Sequence, residues 1–283
     1  MTAILTFVAA NPDQTPLTEA HFEAKGSVEW IEDAKAARVQ IETPLSREEI
    51  AALRDDLNTD KIDIFQRSAD AKPIKLLLAD MDSTIVAEET LDELAAFAGL
   101  KNRVAEITAK AMNGELDFHG AVRERVSLLK GLSTNALQET LAATIVNPGA
   151  KELVAAIKAQ GGTCVLVSGG FTNFTAPIAQ QVGFDHNHGN TLGIDGDTLS
   201  GEVIPPILDK TAKVKFLDEY CTKLGIDASQ AMTIGDGAND LPMLLKAQNA
   251  GGFGVGYHAK PSVEAELINS IRHGDLAAAI YGL

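Results

Sequence analysis

The chain has 283 residues, of which 45% are hydrophobic and 22% charged, with a formal net charge of −15. That length holds two or three compact units of a soluble globular protein, and the acidic balance argues against nucleic acid and anionic membranes as partners, since both select basic patches. No apolar run nears the ~20 residues of a membrane span, and two widely spaced cysteines, Cys164 and Cys221, offer no disulfide framework, which fits inert thiols in a reducing, cytoplasmic setting.

Taken in order, Ala3–Ala9 is an apolar run that lacks a basic n-region and stops before Asn11-Pro12, so it reads as a strand and not as a signal peptide. A helix is expected over Thr18–Ala24 and strands over Val28–Glu32 and Arg38–Ile41. A second helix opens at Ser46 with Glu49 at capping-box spacing, and Ile62, Ile64 and Gln66 alternate as a last strand. The order βαββαβ over residues 1–72 is that of a ferredoxin-like module. It resembles a degenerate ACT-type domain, which would serve as a packing or dimerising appendage, with a homodimer as one outcome, or would sense an amino acid. Ser68–Pro73 is the expected linker.

Lys75–Ala79 is a short buried strand that runs into Asp80-Met81-Asp82-Ser83-Thr84. A spacing of two on an extended chain puts both carboxylates on one side, where they repel unless a cation or a proton lies between them. Alone, such a pair reads equally as an acidic loop after an edge strand. Residues 86–147 then read as almost entirely helical, over Thr90–Ala98, Val104–Met112, Phe118–Leu129 and Asn135–Ile145. Asn147-Pro148-Gly149 returns the chain to alternating elements. These are a helix over Ala150–Ala159, a strand over Thr163–Val167, a helix over Thr172–Gln181 and a hairpin over 191–203; then follow a helix over Thr211–Lys223, a strand over Ala231–Ile234, a helix over Leu241–Lys246 and the segments Gly252–Val255 and Leu276–Tyr281. Alternation of this kind predicts a parallel, doubly wound α/β sheet, which binds ligands at the carboxyl ends of its strands.

Three further stretches accompany the paired acids: Ser168-Gly169-Gly170 after a buried strand, Lys213 at a helix start, and Gly235-Asp236-Gly237-Ala238-Asn239-Asp240 after a third strand. In this order they resemble the four motifs of the haloacid dehalogenase (HAD) superfamily of phosphatases. Glu88-Glu89-Thr90-Leu91, Arg123-Glu124-Arg125-Val126 and Ser168-Gly169-Gly170-Phe171 resemble the phosphoserine phosphatase family within it. The resemblance, which runs from about Lys75 to the C-terminus, implies a HAD-like core over 73–85 and 148–283 and an inserted helical cap over 86–147. It also implies Mg²⁺-dependent hydrolysis of the small molecule O-phospho-L-serine to L-serine and phosphate through an aspartyl-phosphate, the last step of serine biosynthesis.

The same resemblance distributes roles. Asp80 is the nucleophile, and an ionised carboxylate needs no general base for that task. Asp82 is the general acid for the leaving oxygen and then the base for water. Asp236 completes a Mg²⁺ site with Asp80 and the backbone carbonyl of Asp82, an all-oxygen donor set that suits this ion. Ser168 and the amide of Gly169 hold the phosphoryl group at a helix N-terminus, and Lys213 balances its charge. Asn239 and Asp240 orient metal-bound water or touch phosphate or Lys213. Arg125 grips the substrate carboxylate bidentately, Glu89 pairs with its ammonium, and Met112 and Phe118 pack around it. A related transferase that passes the phosphoryl group to an alcohol such as homoserine would use the same residues. A signalling receiver would share acids, hydroxyl and lysine, but not an inserted run of helices. Gly252-Phe253-Gly254-Val255-Gly256 lacks dinucleotide-fingerprint spacing, and His186 and His188 read as members of a solvated loop.

Overall fold

The computed structural model describes residues 2–22, 26–112 and 117–283. Its first strands are β1 (Ala3–Ala9), β2 (Val28–Glu32), β3 (Ala36–Ile41) and β4 (Ile62–Ser68). β1 lies between β3 and β4, antiparallel to both, and β2 flanks β3. Alternation along these strands turns Leu5, Phe7, Val39, Ile62 and Ile64 toward Ile50 and Leu53 of helix α1 (Arg47–Asp56). The capping box is present: Ser46 Oγ accepts the Glu49 N–H, and the Glu49 carboxylate accepts the Ser46 N–H. The helix expected over Thr18–Ala24 is instead a single 3₁₀ turn, Glu19–Phe22, and residues 23–25 lie outside the described ones. One turn suffices to seat Phe22 edge-on against Phe7, with ring centroids 5.1 Å apart.

The remaining strands are β5 (Leu76–Ala79), β6 (Thr163–Phe171), β7 (His186–Asp195), β8 (Thr198–Ile204), β9 (Ala231–Gly235), β10 (Phe253–Tyr257) and β11 (Asn269–Ile271). β5 pairs in parallel with β6 on one side and β9 on the other, and β10 and β11 extend the sheet beyond β9. On the far side β7 runs parallel to β6 and returns antiparallel as β8. Leu77 and Ala79 share a core with Leu153 and Ile157 of α6 (Ala150–Ala159) and Ile178 of α7 (Thr172–Val182). Leu76 and Leu78 share another with Leu217 of α8 (Lys210–Leu224) and Leu244 of α9 (Leu241–Asn249). Helices on both faces explain the uninterrupted apolar run of β5. His186 and His188 are strand residues rather than loop residues, and the His188 ring stacks on Phe216 at 4.0 Å because β7 begins earlier than expected. Glycines in and just before β10 are packing devices: a Cβ at Gly254 would run into the Leu244 carbonyl and one at Gly252 into the Ala228 carbonyl.

Between β5 and α6 lie α2 (Thr90–Phe97), α3 (Lys101–Met112), α4 (Phe118–Ser127) and α5 (Asn135–Ala143). The last ends two residues short of expectation because Thr144 is extended. Leu276–Gly282 is a 3₁₀ helix, and α10 (Pro261–Glu264) precedes β11.

The two ends of the chain meet in one sheet of strand order β2-β3-β1-β4-β11-β10-β9-β5-β6-β7-β8. The join is β4 against β11, antiparallel at Ile64 and Ser270. Buried Asp63 accepts N–H bonds from Arg272 (2.7 Å), His273 (3.1 Å) and Gly274 (2.8 Å). Arg54 of α1 donates to the carbonyls of Leu267 (3.2 Å) and Ile268. Phe65 meets Phe253 edge-on at 5.6 Å. Residues 69–75 therefore connect halves that also share a sheet and a core.

Candidate active site

The chain leaves β5 toward β6 on one side and returns to its other side as β9 only after β8, so the carboxyl ends of these three strands frame the crevice where doubly wound sheets bind ligands. Asp80 follows β5 directly. Its N–H stays in the ladder, bonded to the Ile234 carbonyl at 3.0 Å, while its carboxylate Oδ1 accepts the Met81 N–H at 2.8 Å and Lys213 Nζ at 2.7 Å. Lys213, from the first turn of α8, also bonds the Asp240 carboxylate. Lys213, Asp80 and Asp240 are only 3%, 4% and 0% exposed, so water does little to screen the ion pairs. Burial works against the Lys213 charge, but the Asp240 and Asp80 carboxylates outweigh it and hold its pKa above the ordinary value. Burial and the Asp80 charge push the Asp240 carboxyl up, against the pull of Lys213.

Asp82 Oδ1 accepts both the N–H (2.9 Å) and the hydroxyl (2.7 Å) of Thr90, and its Oδ2 accepts the Ser168 hydroxyl at 2.9 Å. Burial, then the Glu89 and Asp80 charges, raise its pKa to about 7 despite the Thr90 bonds. Asp236, at the end of β9, is raised to about 6 by burial and by the same two acids. Ser168 Oγ accepts the Gly170 N–H at 2.7 Å. Gly170 has to lack a side chain, since a Cβ would stand 2.8 Å from Asp82 Oδ2 and 3.0 Å from Ser168 Oγ. Here the sequence expectation needs correction: Ser168 and Gly169 do not sit at a helix N-terminus. β6 runs through them to Phe171, with an irregular register after Val167, and Phe171 is the N-cap of α7.

Ser168, Gly169, Lys213 and Asn239 line one cavity together with Val167, Leu208 and Asp209. Glu89 is exposed at the start of α2 and accepts the Ser83 hydroxyl at 2.8 Å, with Ser83 held in the left-handed region at φ 54°. Arg125 stands apart from this contact network. It lies half-buried on α4, and its Nε is buried without a hydrogen-bond partner among the described residues; burial raises the pKa of Asp92, and the Arg125 charge only partly offsets that rise. The side chains of Met112 and Phe118 lie outside the described residues.

Three contributors had no role assigned to them from the sequence. Thr90 fixes Asp82. Asn190 of β7 is 1% exposed; it donates to the Gly169 carbonyl and accepts the Leu208 N–H, each at 2.7 Å. Asp209 caps α8. Each acts through partners remote in sequence or through a backbone turn that a lone polar residue does not announce.

Carboxylate oxygens of Asp80, Asp236 and Asp240 all lie within 4.8 Å of one another. So dense a set of oxygen donors, two of them with raised pKa values, fits a small hard cation.

The model of the haloacid dehalogenase-like hydrolases matches residues 77–245, a span that contains every acid, hydroxyl and lysine just described. A phosphoserine phosphatase of Albidiferax ferrireducens is 44% identical over 209 residues, 71% of this chain and 86% of that one. Among solved structures, a HAD family hydrolase of Salmonella enterica serovar Typhi superposes with a TM-score of 0.87 at 27% identity over 99% of this chain and 97% of its own. A probable phosphoserine phosphatase of Vibrio cholerae, in unliganded form, does so with a TM-score of 0.80 at 30% identity over 99% and 85%. The chain belongs to the haloacid dehalogenase-like hydrolases and, within them, to the phosphoserine phosphatase family.

Proposed function

We propose that the chain hydrolyses O-phospho-L-serine by double displacement at Asp80. The Asp80 carboxylate attacks phosphorus, the bond from phosphorus to the serine oxygen breaks, and Asp82 gives its proton to that oxygen. Asp82, now a carboxylate, takes a proton from the water that attacks the aspartyl-phosphate; phosphate leaves and Asp80 is restored. The observation that carries this reading is the contrast between the two acids. Asp80 is paired with Lys213 at 2.7 Å, whereas Asp82 is raised to about 7 and can hold a proton at neutral pH.

Mg²⁺ would be held by Asp80, Asp236 and the backbone carbonyl of Asp82, and would supply positive charge to the phosphoryl oxygens. Lys213 offsets the charge that accumulates between Asp80 and the incoming phosphate. Ser168 holds Asp82 in place and, with Gly169 and Asn239, contacts the phosphoryl group. Glu89 and Arg125 bind the ammonium and carboxylate of the substrate, an assignment supported by the Arg125 Nε, which has no hydrogen-bond partner among the described residues. Residues 86–147 form a helical cap that keeps bulk water out. Residues 1–72 form a ferredoxin-like, ACT-type unit, a reading supported by the order β2-β3-β1-β4. The buried thiols Cys164 and Cys221 support a cytoplasmic setting for this serine-forming step.

The test is phosphate release from O-phospho-L-serine, O-phospho-L-threonine, a nucleoside monophosphate and p-nitrophenyl phosphate, with Mg²⁺, with EDTA and with added homoserine. A Mg²⁺-dependent preference for O-phospho-L-serine is expected, with at least a roughly thousandfold loss in Asp80→Asn. Equal turnover of all four esters would remove the specificity assigned to Glu89 and Arg125. Phosphohomoserine in place of free phosphate would make the enzyme a transferase.

A further inference from the structure

Asp209 holds two helices at once. Its Oδ1 accepts the Thr211 N–H (2.8 Å), the Thr211 hydroxyl (2.6 Å) and the Ala212 N–H (3.3 Å), which caps α8 one turn before Lys213. Its Oδ2 lies 3.1 Å from Nε2 of His119, the second residue of α4. The Thr211 hydroxyl and then His119 hold the Asp209 carboxyl well below the usual carboxylate range, so the acceptor is charged and the bond charge-assisted, whether the imidazole is neutral or protonated.

The position of this contact gives it meaning. Asp209 lines the cavity that also holds Ser168, Gly169, Lys213 and Asn239. α4, which carries His119, also carries Arg125. Among the described residues, Thr90 of α2 bonds Asp82, and the other hydrogen-bonded ties between residues 86–147 and the core lie at the base and on the flank. At the base, Val86 bridges to Val146 and Asn147 Nδ2 donates to the Thr84 carbonyl at 2.8 Å. On the flank, the Gly131 N–H donates to the Leu199 carbonyl and the Leu199 N–H to the Leu132 carbonyl, each at 2.8 Å. Among the described residues, neither set, nor the packing of Val122 and Val126 of α4 in one core with Leu199 and Val203 of β8, joins the helix of Arg125 to the helix of Lys213.

We infer that His119 is a positioning residue: its bond to Asp209 latches α4 across the cavity and sets the separation between the group that grips the substrate's carboxylate and the groups that grip its phosphate. The inference rests on the proposed role of Arg125. A latch between two grips matters for a substrate that uses both and is indifferent to one that uses only the phosphate site.

The experiment compares His119→Ala and His119→Gln with the unaltered chain on O-phospho-L-serine and on p-nitrophenyl phosphate, which offers a phosphate without carboxylate or ammonium. Backbone hydrogen exchange across α4 and α8 is measured alongside. For His119→Ala the expected result is a roughly tenfold rise in KM for O-phospho-L-serine with kcat within about twofold, the size set by one charge-assisted bond at a partly exposed site. kcat/KM for p-nitrophenyl phosphate stays within about twofold, and α4 exchanges faster while α8 does not. His119→Gln, whose side-chain N–H can reach the same oxygen, brings KM back to within about threefold of the unaltered chain. An unchanged KM in His119→Ala, an equal loss on both esters, or no recovery in His119→Gln would overturn the latch. If the unaltered chain turns over p-nitrophenyl phosphate but not O-phospho-L-serine, the substrate reading fails on its own. Exchange then decides: faster α4 exchange in His119→Ala supports the latch and unchanged exchange overturns it.

Discussion

Asp82 and Asp236 retain protons at a pH where an unfolded chain would have released them. Their pKa values are raised to about 7 and about 6, against about 3.9 for an unperturbed aspartate. Between those limits the folded state binds more protons than the unfolded state, so the stability of the metal-free protein falls as pH rises through the window from about 4 to about 7. A divalent cation competes with the same protons and binds better as they leave. Saturating Mg²⁺ should therefore raise Tm little at about pH 5 and by on the order of 5 °C at about pH 8. In Asp236→Asn the increment should be small at both. Differential scanning calorimetry checks this, and an increment of equal size at both pH values would remove Asp236 from the ligand set. The acids of the site were legible in the sequence because each follows a strand end within a few residues. Thr90, Asn190 and Asp209 were not, since Asp82, Gly169 and His119 become their respective partners only once the chain has folded.

At the scale of elements, sites at strand ends are only as well placed as the helices that cover the strands. α9 approaches β10 so closely that Gly254 has no room for a methyl group, which would meet the Leu244 carbonyl. Backbone cannot rotate aside as a side chain can, so Gly254→Ala should cost about 2–3 kcal/mol or more, measured as a lower urea midpoint at unchanged m-value. A cost below about 0.5 kcal/mol would mean that α9 is free to shift. The strands β5, β6 and β9 were readable because burial on both faces leaves continuous apolar runs. α10, with four residues, and β11, with three, are too short to display any period. β6 was read too short because Ser168-Gly169-Gly170 carries the signal of a turn although the chain stays extended through it.

For the molecule as a whole, the unread feature was the join between its ends. It rests on one bridge, Ile64 with Ser270, and on side chains such as Asp63 and Arg54 bonded to backbone more than 200 residues away. Local patterning carries no trace of such pairings. If the join is structural, the two halves should unfold together. Trp30, the only tryptophan in the chain, lies on β2 and reports on the N-terminal half, while phosphatase activity reports on the other. The two transitions in urea should coincide. Asp63→Ala, which strands the N–H groups of the half-buried residues 272–274, should move both down together by about 2–3 kcal/mol. Loss of tryptophan signal well before activity would show the halves to be independent. A sheet this long also has just two ends at which another molecule could add a strand. At β8 the chain occupies the first part of the open side, through residues 131 and 132 bonded to Leu199 and the bridge from Ser133 to Thr198. At β2 the irregular edge carries Glu29 and Glu32, whose charges meet like charges when two copies approach edge to edge. The architecture that binds the molecule into one body thus also leaves its sheet with only these two edges to guard.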